Sequence, residues 1–270
     1  MSSYLRLTAT LRSPRTLGLP RPTNIMSSHF FHKPTPFSLP SSRFYFRGRT
    51  NTNYQARETA NTAVLYTLLG TNLAVFGYAM YLKEQARQGH PLPFKEFTQK
   101  MTLSLPDFQH GSYLPILTST FTHLDIGHLL ANMFSLYFLG SFLASAPVIT
   151  PLRYFTIAIG SGLAGSVGWL FHRYYQRQAK APGKWHTARG SGFSGSIMGL
   201  STVAACLTPH ARFFLMGIVP MPLWALVTGF AVFDGYYLNS LDSNIGHAGH
   251  LGGLAFGLLY YVARLRTFRY

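Results

Sequence analysis

Four side chains in this 270-residue sequence could carry a reaction: Ser194, His250, His128 and Asn132. A serine hydroxyl becomes a useful nucleophile only when a neighbouring base takes its proton, and histidine has the ordinary pKa for that task near neutral pH. Ser194 lies in Gly192-Phe193-Ser194-Gly195. If a helix starts there, the serine's own N–H has no helical partner, and the helix dipole favours negative charge beside it. That combination suits an acyl-transfer nucleophile, with His250 as its general base. His128 and Asn132 are four residues apart and share one helix face. As hydrogen-bond donors they could hold an oxyanion together with the Ser194 amide. No third acidic residue is required, so the expected machinery is a Ser194–His250 dyad.

The neighbouring polar residues read as supports. Asp125 precedes the His128 helix as its N-cap, and His123 braces the adjoining loop. His247, one turn before His250, reads as a structural or supporting group, and Asp234 has no assigned role. Ser191 and Ser196 flank the nucleophile without the helix-start position. The single cysteine, Cys206, lies in an apolar run; it excludes an intrachain disulfide and any cysteine-based zinc site. There is no His-Glu-x-x-His stretch, and the expected chemistry needs no metal or organic cofactor.

These residues fall in apolar segments at about 62–82, 128–146, 151–171, 193–208, 222–238 and 248–264. Hydrophobic residues make up 47% and charged residues only 11%, against about 25% charged in soluble domains. The expected fold class is therefore an all-α polytopic membrane protein, a bundle of six transmembrane helices. The segment beginning near Ser194 is too short to cross about 30 Å of hydrocarbon unaided. Its start must lie below the surface, where irregular backbone is tolerated only around a water-filled cavity. Small residues recur every fourth position at Gly160, Ala164 and Gly168, at Gly195 and Gly199, and at Gly249, Gly253 and Gly257. Such stripes let helix backbones approach, bringing the fourth and sixth segments close enough for His250 to reach Ser194. By this reasoning Gly257→Leu disrupts the contact and Gly257→Ala is much milder.

Of the net charge of +16, residues 1–57 contribute +9, from eight arginines and one lysine with no acid. That stretch is rich in Ser, Thr and Pro and lacks a long apolar run, the pattern of a mitochondrial transit segment rather than a secretory signal. No nucleic-acid-binding pattern accompanies the charge. The expected division is a transit or disordered segment at 1–57 and a catalytic domain at 58–270.

Together, His128-x-x-x-Asn132, Gly192-x-Ser194-Gly195 and His250-x-x-Gly253-x-x-x-Gly257, in this order on the second, fourth and sixth segments, resemble the rhomboid intramembrane serine proteases. Phe121-Thr122-His123, Met198 and Asp234 look closest to the mitochondrial presenilin-associated rhomboid-like branch. The resemblance implies a six-helix rhomboid domain in the mitochondrial inner membrane, cleaving single-span substrates in or near their transmembrane helices within the lipid bilayer. It also implies Ser194 and His250 as the catalytic pair and His128, Asn132 and the Ser194 amide as the oxyanion hole. Members commonly carry Trp-Arg in the first loop where Leu114-Pro115 stands here, so this loop must be braced by other residues. Many bacterial members stack an aromatic ring on the histidine where this chain has Met198. The mitochondrial branch commonly has an extra helix before the six, and no segment before residue 60 could supply one. A transporter or a catalytically inactive scaffold are the alternatives. An α/β-hydrolase is rejected because residue 196 is Ser where its Gly-x-Ser-x-Gly elbow needs Gly.

Overall fold

A computed structural model describes residues 52–179, 188–215, 219–240 and 245–267, all within the compact unit Ser41–Tyr270. The transit-like stretch lies almost wholly outside the described residues. The first described helix, α1 (Thr52–Arg87), begins at Thr52.

Each of the six expected segments coincides with a helix: α1, α5 (Ile126–Ala144), α6 (Pro151–Gln178), α7 (Ser194–Leu207), α8 (Leu223–Tyr236) and α9 (His247–Tyr260). Among the described residues, α1, α5 and α6 are long and apolar enough to cross a membrane, while α7 and α8 are shorter apolar helices. The last helix has 14 residues and continues as a π-helical turn, Tyr261–Leu265. Beyond α1, the stretch up to residue 122 contains α2 (Pro91–Met101), α3 (Leu105–Gln109), α4 (Pro115–Thr118) and a 3₁₀ turn, Ser119–Phe121. The punctuation there is prolines at helix N-termini, where a missing N–H costs nothing. Between α7 and α8 an antiparallel hairpin pairs β1 (Arg212–Leu215) with β2 (Val219–Pro222).

Local sequence sets the ends of the long helices. The Asp125 carboxylate accepts the His128 N–H at 2.8 Å and caps α5, as expected. Thr150 caps α6 through the Arg153 N–H, with Pro151 following it. Asn61, buried on α1, donates from Nδ2 to the carbonyls of Ala144 at 2.8 Å and Ile149 at 2.9 Å. It thereby satisfies one backbone acceptor left open at the end of α5 and one in the connection to α6.

At the centre stands α7, buried continuously from Gly195 to Ala205. A helix that is apolar all round and lacks an exposed face belongs inside a bundle. Its contact with α9 is backbone to backbone, while on the α6 side Gly199 faces the Ser161 side chain. A Cβ added at Gly253 would collide with the Gly195 carbonyl, and one at Gly257 would lie 2.5 Å from the Gly199 carbonyl oxygen. On α6 the expected small-residue stripe meets α9: Gly160 faces the Phe256 ring, the Ala164 carbonyl faces Gly252 and Gly168 faces the Ala248 carbonyl, with Gly165 beside them against the Gly249 carbonyl. Large apolar side chains such as Leu130, Phe134, Leu152, Phe171 and Val232 point outward, which suits a hydrocarbon solvent rather than water.

Candidate active site

Ser194 is the first residue of α7, preceded by Phe193 with φ −80° and ψ 1° and no side-chain cap. The first-turn amides therefore have no helical acceptors and point outward from a buried helix start. Gly192, two residues earlier, has φ +127°, and a Cβ there would sit 2.6 Å from Cε1 of His128. Only glycine fits on both counts. Phe193 is fully buried, and its N–H donates to Nε2 of His123 at 3.3 Å. His123, read from sequence as a loop brace, thus holds the backbone that delivers Ser194. Burial and the neighbouring His128 push its pKa down to about 4, which keeps Nε2 available as an acceptor.

Across the tight α7–α9 contact, Nε2 of His250 lies 2.9 Å from Oγ of Ser194. The opposite ring nitrogen, Nδ1, faces the Asp234 carboxylate at 3.0 Å and 3.1 Å from its two oxygens. Nδ1 of His247 lies 2.6 Å from the same carboxylate. Asp234, on α8, is buried, as is His247. An ionised carboxylate only accepts, so both histidines present Nδ1–H to it. For His250 that tautomer leaves the Nε2 lone pair facing the serine hydroxyl, the arrangement a general base requires.

The sequence reading needed no acidic residue and gave Asp234 no role; here its carboxylate is within hydrogen-bonding distance of His250. Asp234 stands behind His250, and Ser194, His250 and Asp234 have the order and contacts of a hydrogen-bonded triad. Its signal was available: a lone carboxylate in an otherwise uncharged apolar segment is expensive unless paired or functional. His247, one turn before His250, is the second donor that fixes the carboxylate. Asp234, His247 and His250 also form the one group of three potential metal donors among the described residues, mutually within 4.8 Å. The hydrogen bonds of the two histidines to the Asp234 carboxylate account for that closeness.

The remaining site residues are placed less directly. Gly192 abuts the His128 ring, which packs edge-on against His123 with centroids 5.0 Å apart. Asn132 is buried one turn further along α5 and gives one Nδ2 hydrogen to the His128 carbonyl at 2.8 Å. Among the described residues neither side chain is hydrogen-bonded to Ser194. Ser196 is fully buried without a partner for its hydroxyl, and of the three clustered serines only Ser194 meets a histidine. Met198 is buried, and the His247 ring stands edge-on to that of His250 with centroids 6.4 Å apart.

A family model for the rhomboid domain matches residues 110–267, which include every residue of this site. The chain is 30% identical over 174 residues to RHOMBOID-like protein 12, mitochondrial, of Arabidopsis thaliana, covering 62% of this chain and 51% of the relative. It is 27% identical over 252 residues to Rhomboid protein 1, mitochondrial, of Saccharomyces cerevisiae, covering 93% of this chain and 63% of the relative. With Presenilin-associated rhomboid-like protein, mitochondrial, of Homo sapiens it shares 25% identity over 151 residues, 54% of this chain and 36% of the relative. The chain thus spans between about one third and two thirds of the length of these relatives.

Proposed function

The chain belongs to the rhomboid family, and from that premise we propose that it is an intramembrane serine endopeptidase with Ser194 as nucleophile. The relatives are mitochondrial rhomboid proteins, and the chain is a mitochondrial multi-pass membrane protein. Its proposed place is the inner membrane. The observation that carries the catalytic reading is the 2.9 Å contact between Ser194 and His250, with Asp234 directly behind the imidazole.

The proposed substrates are single-span membrane proteins, unwound locally so that a peptide carbonyl reaches the start of α7. Ser194 Oγ attacks the carbonyl carbon as Nε2 of His250 takes the hydroxyl proton. Asp234 accepts from Nδ1–H and stabilises the imidazolium that forms. The oxyanion is held by the Ser194 N–H at the positive end of α7, joined by the second Nδ2 hydrogen of Asn132 and by His128. Collapse of the intermediate breaks the C–N bond, and the imidazolium returns its proton to the leaving amine. Water, deprotonated by His250, then hydrolyses the acyl-enzyme and regenerates Ser194.

The test is covalent labelling of the purified protein with a serine-reactive fluorophosphonate, run beside cleavage of a reporter transmembrane helix. Labelling and cleavage are expected in the wild type and absent in Ser194→Ala and His250→Ala at normal abundance. An unlabelled wild type would point to a transporter or an inactive scaffold. Activity that survives Ser194→Ala but vanishes in Ser196→Ala or Ser191→Ala would move the nucleophile.

A further inference from the structure

The strand of backbone that leads into Ser194 is fastened to the segment between α1 and α5 along its whole length. Gly190 exchanges two backbone hydrogen bonds with Leu103, each 2.8 Å. Gly192 N–H donates to the Ser119 carbonyl at 2.9 Å, and Phe193 N–H to His123. At the head of this series stands Arg189. Its Nε donates to Oγ1 of Thr102 at 2.5 Å, and its Nη2 lies 2.6 Å from Oδ2 of Asp107. The same Nη2 donates to the carbonyls of Thr98 at 3.2 Å and Thr102 at 3.3 Å.

We infer that Arg189 is a positioning residue: its guanidinium clamps the α2–α3 junction to the segment that delivers Ser194. The inference rests on the reading of Ser194 as nucleophile. The guanidinium occupies a joint with two complementary ends. Thr98 and Thr102 offer carbonyls at the C-terminus of α2, where a cation is favoured, and Asp107 lies in the first turn of α3. The Leu103–Gly190 pair is a single isolated bridge, and alone it leaves the strand free to tilt about that pair. The planar fork of arginine, bound at four points on one side of the bridge, removes that freedom. Four residues lie between Arg189 and Ser194, and three further backbone anchors carry its register forward.

The clamp's energetics make the role testable. The side chains of Arg189 and Asp107 remain 30% and 34% exposed, so the pair contributes little to global stability. Its loss should appear as lost geometry at Ser194 rather than as unfolding. A lysine would still reach Asp107 but would lack the Nε–H and the rigid fork. Arg177 provides an internal control, because it reaches Gln109 of the same segment at 2.5 Å yet is not on the path to Ser194.

The experiment uses the full chain reconstituted in lipid vesicles. It measures kcat and KM on a reporter helix, the fluorophosphonate labelling rate per folded protein, and Tm, for Arg189→Gln, Arg189→Lys, Asp107→Asn and Arg177→Gln. Arg189→Gln is expected to lower kcat and the labelling rate together by about 10- to 100-fold, with KM and Tm near wild type. Arg189→Lys and Asp107→Asn should recover part of that loss, and Arg177→Gln should match the wild type. A wild-type kcat in Arg189→Gln, a loss matched by lost folded protein, or an equal defect in Arg177→Gln would overturn the clamp. The parent reading is judged separately. Cleavage surviving in Ser194→Ala overturns both, whereas a dead Ser194→Ala beside a fully active Arg189→Gln removes only the clamp.

Discussion

Adding one methyl group at Gly257 should nearly silence the protein without displacing it from the membrane. A Cβ there would lie 2.5 Å from the Gly199 carbonyl oxygen, 2.8 Å from its Cα and 3.0 Å from its carbonyl carbon. Non-bonded heavy atoms settle near 3.5 Å, so α7 and α9 must part by about 1 Å. The sequence reading treated alanine as mild and leucine as disruptive. The structure removes that distinction, because the first added carbon meets backbone, which has no rotamer to escape into. Seven residues separate Gly257 from His250, about 10 Å of helix, and a helix moves as a stiff body over that length. A comparable shift would stretch the 2.9 Å Ser194–His250 contact beyond hydrogen-bonding range. Misplacement of about 1 Å costs on the order of 10²-fold in rate, and the overpacking itself costs about 1–3 kcal/mol. The assay is turnover of a reporter helix in vesicles, with membrane-fraction abundance and Tm measured on the same preparation. Gly229→Ala is the control, since a Cβ at Gly229 has nothing within 4 Å; it should be neutral or more stable by up to about 1 kcal/mol. Wild-type turnover in Gly257→Ala would refute the claim that this glycine contact sets the distance between nucleophile and base.

Three further outcomes follow from the site. Asp234→Asn keeps the shape of the side chain, but its amide presents N–H to Nδ1 of His250 and drives the proton onto Nε2; the fluorophosphonate labelling rate should fall by as much as ~10⁴-fold at unchanged Tm, and a loss of only a few-fold would leave Asp234 a structural partner of His247. Asn132→Ala and His128→Ala should each lower kcat by ~10²–10³ with little change in KM, the double variant losing no more than either single one if they share the oxyanion; a fall in steady-state abundance instead would make the pair structural. Residues 1–57 fused to a soluble reporter should carry it into mitochondria, and a reporter retained in the cytosol would remove the transit assignment.

What the sequence disclosed and what it hid divide along a physical line. Apolar segments were legible because hydrophobicity averages over some twenty residues, and all six coincide with helices. The Ser194–His250 apposition was legible because glycine stripes announce which helices can touch. Asp234, a lone carboxylate in an apolar segment, announced that it needed a partner but not which one. Its partners lie 13 and 16 residues away on another helix, and nothing on α8 itself points toward them. Arg189 was hidden similarly, in a polar stretch where one more cation draws no notice, with partners 82 to 91 residues earlier. The α6 stripe was legible in the same way as the other glycine stripes, since Gly160, Ala164 and Gly168 all meet α9; spacing of four does not include Gly165, which faces the Gly249 carbonyl.

The glycines also explain how a polar cluster is tolerated at the heart of an apolar bundle. Each glycine inside a helix costs about 1 kcal/mol relative to alanine, and Gly195, Gly199, Gly253 and Gly257 all lie within α7 or α9. Backbone contact at that interface lets the short Ser194 hydroxyl reach an imidazole on the next helix without any intervening water. Once His250 is held there, its remaining N–H must find an acceptor, since an unmet donor in a low-dielectric interior is costly. Asp234 supplies that acceptor, and a buried carboxylate in turn needs more than one donor, which His247 completes. Each group in the chain Ser194, His250, Asp234, His247 thus answers the desolvation cost of the one before it. The order in which the proposed mechanism uses Ser194, His250 and Asp234 is also the order in which their polar atoms are satisfied. A substitution that breaks one link is therefore expected to expose the next as an unpaired buried group, so Asp234 and His247 should prove energetically coupled rather than additive.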